Sequence, residues 1–122
     1  MKSKVIWYRE QAFVRQSGRC FYCSCEMWRG ESSDGFCKRH SLTPAQAKWL
    51  QSTAEHVVAR RDGGADSVVN IVAACLRCNR GRHARKKAKT PTAFACYVSR
   101  RLKALRWHDF DVRGRGVLSV DD

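Results

Sequence analysis

The sequence predicts a small α+β domain with a strand–turn–strand–helix core, a cysteine-rich metal site and flanking helices. Three observations carry this prediction. The 122 residues suit one domain, residues 1–122, with a modest core. Two Cys-x-x-Cys motifs occur, at Cys20–Cys23 and Cys75–Cys78. A segment with two Val-containing stretches separated by a Gly-Gly turn leads into the second motif, which places the core there.

The elements before the core follow from apolar spacing and capping residues. Residues 4–16 space apolar side chains as a helix does, and Ser17-Gly18 ends that helix. Residues 26–40 are rich in Gly, Ser and charge, which predicts a loop or insertion. Thr43-Pro44 predicts a short helix running to about Gln51, since Thr caps helices and Pro suits the first helical position.

The core itself is predicted from residue 53 onward. Residues 53–60 favour a strand, Asp62-Gly63-Gly64 is a strong turn signal, and a second strand surrounds residues 69–73. A helix then starts near Cys78 and runs to Arg85 or Lys87.

Thr90-Pro91 breaks the chain again and opens a last helix, predicted at 91–106. Its apolar side comprises Phe94, Tyr97, Val98, Leu102 and Leu105, and Cys96 reads as a buried small residue. The tail after it is predicted to be irregular or to form a short final strand.

The charge distribution points to a polyanionic partner. Twenty-four Lys and Arg against eleven Asp and Glu give a net charge of +13. Residues 67–108 contain no acidic residue and eleven Lys or Arg. A positive electrostatic potential of this kind attracts nucleic acid, and binding releases the counterions of the nucleic acid. The alternative is a basic surface that is solvated and binds no partner. No stretch has the pattern of an amphipathic membrane helix.

The seven cysteines favour metal over disulfides, because the chain shows no secretory signal and carries two Cys-x-x-Cys knuckles. Each knuckle supplies half of a tetrahedral zinc shell, so Cys20, Cys23, Cys75 and Cys78 are predicted to hold one structural Zn²⁺. Cys25 and Cys37 are the competing ligands. His40 and His108 have no identifiable partner and are predicted to lie at the surface.

The order Glu55-His56, Gly63-Gly64, Asn70, Cys75-x-x-Cys78-Asn79 and His83 resembles the HNH (ββα-metal) endonuclease family, in its four-cysteine zinc branch. The resemblance covers roughly residues 20–87. It leaves out the flanking helices at 4–16 and 91–106 and gives no role to the 24–52 insertion, where Trp49 is predicted to pack and the role of Trp28 stays open.

The resemblance implies a metal-dependent DNA endonuclease, acting as a nickase or double-strand cutter. His56 would be the general base, which suits an imidazole near neutral pH, and Asn70 would orient its ring. Glu55, Asn79 and His83 would hold a catalytic ion, Mg²⁺ or Mn²⁺, with Ni²⁺ or Zn²⁺ as alternatives.

The basic residues near the core helix are predicted to grip DNA phosphates rather than read bases, so sequence specificity would be weak. They are Arg80, Arg82, Arg85, Lys86, Lys87 and Lys89. The rival function is a non-catalytic zinc-knuckle nucleic-acid-binding protein. It shares the charge and the cysteines but has no use for Glu55-His56 together with Asn70 and Asn79.

Several properties stay open on the sequence. No apolar run approaches the roughly 20 residues of a membrane span, and the N-terminus lacks a signal-type apolar region, so we expect a soluble cytoplasmic protein, with non-classical delivery as a toxin as the alternative. One HNH unit cuts one strand, so double-strand cleavage would need a homodimer or two nicks. The choice between DNA and RNA, the strandedness of the substrate and the role in restriction, phage packaging, homing or toxicity stay open, as does an immunity protein or phage partner.

Overall fold

The computed structural model describes residues 4–119 and contains five helices, one 3-10 turn and a two-stranded sheet. The fold is α+β, as predicted. In chain order the elements are α1 (Lys4–Arg15), α2 (Asp34–His40), α3 (Pro44–Lys48), β1 (Ser52–His56), the 3-10 turn (Arg60–Asp62), β2 (Ile71–Cys75), α4 (Leu76–His83) and α5 (Pro91–Lys103).

The sheet is an antiparallel pair in which Ser52 lies opposite Cys75 and His56 opposite Ile71. Every residue of β2 is buried, and α1 packs against both strands. Both strands lie near their predicted positions, but the first ends at His56 rather than at residue 60, and the second runs from Ile71 to Cys75 rather than over residues 69–73. The chain turns out of the sheet after His56 and enters the loop that joins the two strands.

The Gly-Gly turn lies in that loop, where the sequence placed it. Gly63 ends the 3-10 turn with a left-handed φ of 90°. At Gly64 an added Cβ would lie 1.7 Å from the carbonyl oxygen of Val58. Only glycine at this position lets the two arms of the loop approach this closely.

The core helix α4 begins immediately after β2, two residues before the predicted start. Cys75 ends the strand and caps the helix, since its Sγ accepts a hydrogen bond from the backbone N–H of Cys78 at 3.4 Å. No residue separates the strand from the helix, and this fixes the direction in which α4 leaves the sheet.

The segment before the sheet differs from prediction in its first half. Residues 34–40, predicted as part of a loop, form the helix α2. Its apolar residue Phe36 is buried, and the Phe36 ring lies 4.6 Å from that of the buried His40. Tertiary packing of this one side outweighs the loop-like composition. The short helix α3 does begin at Pro44, behind a complete capping box formed by Thr43 and Gln46.

The last helix is shorter than predicted and ends at Lys103. Leu105 lies beyond it with a left-handed φ of 57° and is 70% exposed, so it does not join the buried side. Cys96 is also exposed, which makes its predicted burial wrong. The irregular tail packs back into the core instead through its apolar residues, Trp107, Val112, Val117 and Leu118.

Within residues 4–119, none of the helices is both long enough and apolar enough to cross a membrane.

Candidate active site and metal centre

Four cysteine side chains converge where the two knuckles meet. The Sγ atoms of Cys20, Cys23, Cys75 and Cys78 all lie within 4.8 Å of one another, and all four residues are buried. The first knuckle precedes the sheet by some thirty residues, and the second spans the β2–α4 junction. This is the set of four that the spacing predicted.

The groups around these cysteines stabilise the thiolate form of the side chain. Cys20 Sγ accepts hydrogen bonds from the backbone N–H groups of Tyr22 at 3.4 Å and Cys75 at 3.3 Å. Cys78 Sγ accepts one from the indole Nε1 of Trp107 at 3.3 Å. N–H donors of this kind stabilise thiolates, which are the form that binds metal.

Without a bound cation, the pKa values of the four thiols shift in different directions. Burial works to raise the pKa of Cys20, but hydrogen bonds from Cys23, Cys75 and Cys78 outweigh it and hold that pKa well below its usual range. Burial, followed by the hydrogen bonds to Cys20, raises the pKa of the Cys23 and Cys75 thiols well above the usual range. Burial and the same hydrogen bonds also raise the pKa of Cys78. Four thiolates in one buried pocket require a cation, so the group could hold a metal ion such as zinc.

The competing cysteines lie outside this group of four. Cys25 is buried and forms a second cluster with Cys23 and His108, whereas Cys37 is only partly buried and donates to Ser33 Oγ. The surface prediction for His108 was wrong, because its Nε2 lies 3.7 Å from Cys23 Sγ and burial lowers its pKa to about 4.

His40, also predicted at the surface, is buried as well. Its Nδ1 lies 3.0 Å from the carbonyl oxygen of Arg115 in the tail. The Phe36 ring of the same helix and the returning tail cover this side chain. Neither feature is visible in the spacing of the sequence.

A separate cleft lies between β1 and α4. Glu55, His56, Asn79 and His83 all border one cavity of about 230 Å³. Glu55 and His56 are successive residues, yet both reach the cavity because His56 is the last residue of its strand. The structure thus brings together four of the five residues that the resemblance assigned to catalysis or to the catalytic ion.

The Glu55 carboxylate is almost fully buried and is fixed by three side chains. Its Oε2 accepts hydrogen bonds from Tyr22 Oη at 3.0 Å and Arg82 Nη1 at 3.1 Å. Its Oε1 accepts one from His83 Nε2 at 2.8 Å. A carboxylate that is 1% exposed needs such partners to remain charged.

The orientation of the Asn79 side chain follows from its contacts with β1. Its Nδ2 donates to Thr53 Oγ1 at 3.0 Å and to the carbonyl oxygen of Ala54 at 3.1 Å. Both amide hydrogens are therefore used on the strand. The carbonyl oxygen Oδ1, which receives no hydrogen bond from the described part of the chain, is left as an acceptor or ligand.

The partner of the His56 ring is an aspartate that the sequence reasoning missed. Nε2 of His56 donates to Asp66 Oδ1 at 2.7 Å, and Arg60 pairs with the same carboxylate at 3.2 Å. These contacts, led by the hydrogen bond from His56, lower the pKa of Asp66. Asp66 looks like an ordinary polar loop residue in the sequence, and only the fold of the 57–70 loop brings it to the histidine.

Asn70 was expected to orient the His56 ring, and its side chain instead holds the loop. Its Oδ1 accepts from the backbone N–H of Val58, and its Nδ2 donates to the carbonyl oxygens of Val58 and Ala65 at 3.0 and 2.9 Å. Its amide thus determines the path of the loop that carries Asp66.

Arg82 was expected to grip DNA, and the structure corrects this, because its side chain is 5% exposed. The guanidinium donates to Glu55 and Tyr22 and to the carbonyl oxygens of His56, Val57 and Lys89. It faces the interior because the carboxylate of Glu55 lies there. Of the other basic residues named, Arg80, Arg85, Lys86 and Lys87 are exposed and Lys89 is half-buried.

The fold and site define a small α+β domain with a strand–strand–helix core, a four-cysteine cluster and a polar cleft beside it. Residues 37–85 match the family model of the HNH endonuclease. This match suggests a function of the nuclease type. The cysteine cluster is consistent with the four-cysteine zinc branch, although the first knuckle lies ahead of the matched residues. No curated protein and no solved structure matches the chain.

Proposed function

We propose that this protein is a metal-dependent DNA endonuclease in which His56 is the general base. The observation that carries the proposal is the meeting of Glu55, His56, Asn79 and His83 at one cavity between β1 and α4. A module that only binds nucleic acid has no need to gather a buried carboxylate, an imidazole and an oriented amide in one cleft. Metal-assisted phosphodiester hydrolysis uses a base for the attacking water and ligands for the ion, and these groups can supply both.

The donor set fits a divalent ion. Glu55 Oε1 and His83 Nε2 share a hydrogen bond at 2.8 Å, close to the spacing of about 3 Å between neighbouring ligands in an octahedral shell with bonds of about 2.1 Å. An ion held by both atoms would take the place of the Nε2 hydrogen, and the ring would keep its hydrogen on Nδ1. Asn79 Oδ1 supplies a further oxygen donor. Oxygen-rich sites with one imidazole suit Mg²⁺ or Mn²⁺, and Ni²⁺ or Zn²⁺ are the alternatives.

When bound, such an ion would neutralise charge on the scissile phosphate and on the departing 3′ oxygen. The chain's own residues position the other reacting groups. Arg82 and Tyr22 hold the Glu55 carboxylate in place, and Thr53 and Ala54 hold the amide of Asn79.

Proton transfer is the task of His56. Because its Nε2 donates to Asp66, its Nδ1 carries the lone pair and is the atom that can take a proton from the attacking water. The carboxylate of Asp66 then stabilises the imidazolium that forms, as an orienting acid does beside other catalytic histidines.

The charge of the chain supports DNA as the substrate. A net charge of +13, with Arg80, Arg85, Lys86 and Lys87 exposed on and beyond α4, provides cations that would contact phosphates. Such contacts position a strand without reading its sequence, so specificity would be weak.

Plasmid cleavage tests the proposal. The wild-type chain, with its structural metal retained, is incubated with supercoiled plasmid and added Mg²⁺, Mn²⁺, Ni²⁺ or Zn²⁺ in turn, and nicked and linear products are followed. His56→Ala should bind DNA as tightly as the wild type and leave the plasmid intact. Tight binding with no cleavage by the wild type, under any of the four divalent ions named, would instead establish the non-catalytic zinc-knuckle protein.

A further inference from the structure

A second cavity lies on another side of α4 and takes no part in the proposed chemistry. Its volume is about 410 Å³, within the range of small-molecule and nucleotide sites. Arg77, Arg80 and Gly81 line it from α4 and Ala84 from the end of that helix, with the i, i+3, i+4, i+7 spacing of one helical face. Asn79 and His83 point from a different face of the same helix into the cleft.

Two tryptophans form the walls of this cavity. Trp107 is buried and anchored, since its Nε1 donates to Cys78 Sγ. Its ring comes close to α4 only because residue 81 is glycine, where an added Cβ would lie 2.8 Å from the Cη2 atom of Trp107. Trp49 is half-buried at the end of α3, and its carbonyl oxygen accepts from the backbone N–H of Arg77. Both walls are thus held by the metal centre and the core helix.

Two guanidinium groups accompany these rings. Arg77 lies 3.8 Å from the centroid of Trp107 and covers one of its faces, with its Nε donating to the Trp107 carbonyl oxygen. Arg80 is exposed and lies 5.4 Å from the centroid of Trp49. Lys48 Nζ also lies 6.0 Å from the centroid of Trp49, but Trp49 is half-buried whereas Trp107 is buried, so the indole of Trp49 is the more open flat surface. Asp109 is the acidic residue of the lining and adds a hydrogen-bond acceptor.

An open indole, two cations and one acceptor together match a single nucleotide. A base stacks on an aromatic ring whatever its identity, a phosphate pairs with guanidinium groups, and an exocyclic amino group donates to a carboxylate. A base inside a duplex is stacked on both sides and cannot enter, so the occupant must be unpaired.

We propose that this cavity receives one unpaired nucleotide of the strand bound by the domain, with its base against Trp49 and its phosphate at Arg77 and Arg80. This inference rests on the proposed function and narrows its substrate to DNA that contains a single-stranded or unstacked nucleotide near the cut.

Binding measured without cleavage tests the inference. In the His56→Ala background, fluorescence anisotropy gives the affinity for a labelled oligodeoxycytidine strand, whose bases carry the exocyclic amino group, and for a fully paired duplex. Trp49→Ala should weaken strand binding roughly tenfold, a typical effect of losing one base–aromatic stack, and should change duplex binding by less than about twofold. Trp7→Ala, which removes an exposed tryptophan of α1, should change neither affinity.

Arg80→Glu is the second variant, because Arg80 is exposed and its replacement leaves the core untouched. It should weaken strand binding by a larger factor than Arg85→Glu. If Trp49→Ala and Arg80→Glu bind the strand as their controls do, the inference is overturned. The plasmid assay is independent of this binding measurement. Cleavage by the wild type would therefore still support the nuclease if the cavity binds no nucleotide, and absence of cleavage would not change the interpretation of the measured affinities.

Discussion

The hydroxyl of Tyr22 donates a hydrogen bond to Glu55 Oε2 at 3.0 Å, and this bond joins the two centres of the molecule. Tyr22 lies between the two cysteines of the first knuckle, so its position depends on the four-thiol group. Glu55 borders the cleft. The sequence suggested a structural metal and a catalytic ion with separate tasks, whereas this hydrogen bond connects the four-thiol group to the cleft.

Alkaline conditions should reveal the Tyr22–Glu55 contact. Burial, followed by the charge of Glu55, raises the pKa of Tyr22 well above its usual value. When folding raises the pKa of a group, that group contributes its full stabilisation of the folded state below the pKa of the unfolded chain, which is about 10 for tyrosine. The contribution decreases as the pH rises above that value. Above pH 10 the Tyr22 contribution should therefore fall by about 1.4 kcal/mol per pH unit.

The measurement is urea unfolding between pH 8 and 11 for the wild type and Tyr22→Phe. Because lysines and other tyrosines titrate in both proteins, the difference between the two curves isolates Tyr22. A difference that does not change with pH would show that this phenol ionises freely in the folded state.

Loss of the four-thiol group should unfold the protein. We expect native mass spectrometry to find one zinc ion per chain, and Cys20→Ser or Cys75→Ser to lose both that ion and the far-ultraviolet circular dichroism of the fold. Cys96→Ser is the matched control, because this cysteine is exposed and lies outside the group. A Cys75→Ser protein that folds without metal would contradict a structural role.

Asp66 should act on turnover rather than on binding. Asp66→Asn removes the carboxylate that fixes the His56 tautomer, so kcat for plasmid cleavage should fall roughly 10- to 100-fold. The effect should be smaller than the roughly 10⁴-fold at a buried triad, because Asp66 is exposed to solvent. KM should stay unchanged, and Asp66→Glu should recover part of kcat.

The control for Asp66 is Asp62→Asn, an exposed acid in the same loop. If Asp66→Asn and Asp62→Asn have the same kcat, then Asp66 does not position the histidine.

Arg82 should matter for stability where its neighbours do not. Arg82→Ala leaves Glu55 buried without its guanidinium partner, and breaking a buried pair in this way costs about 3–5 kcal/mol of unfolding free energy. Arg80→Ala, two residues earlier and exposed, should cost less than about 0.5 kcal/mol. Urea titration measures both, and equal stabilities would show that the buried pair is not needed.

The sequence predicted best those features that depend on residues close together in the chain. The two Cys-x-x-Cys knuckles, the Gly-Gly turn and the Glu55-His56 pair each have local signatures, and the structure places the thiols together and the pair at one cleft. These signals are local because a knuckle or a turn is built from consecutive residues.

What the sequence could not provide was long-range pairing. Arg82 has the same side chain as its exposed neighbours, and only the position of Glu55 across the fold makes it internal. Asp66 meets His56 because the intervening loop folds back. His108 is buried because the tail returns to the thiols. Periodicity within one segment carries no information on such contacts.

The two-turn helix α4 serves a buried carboxylate on one side, the cleft on a second and the tryptophan-walled cavity on a third. Each residue advances the helix by about 100°, so one amino acid inserted between Cys78 and Asn79 would turn every later side chain away from its present neighbours. Cys75 and Cys78 fix the start of the helix and would not turn with them. An insertion at this point is therefore expected to disrupt the cleft and the cavity together, even though every side chain of α4 is kept.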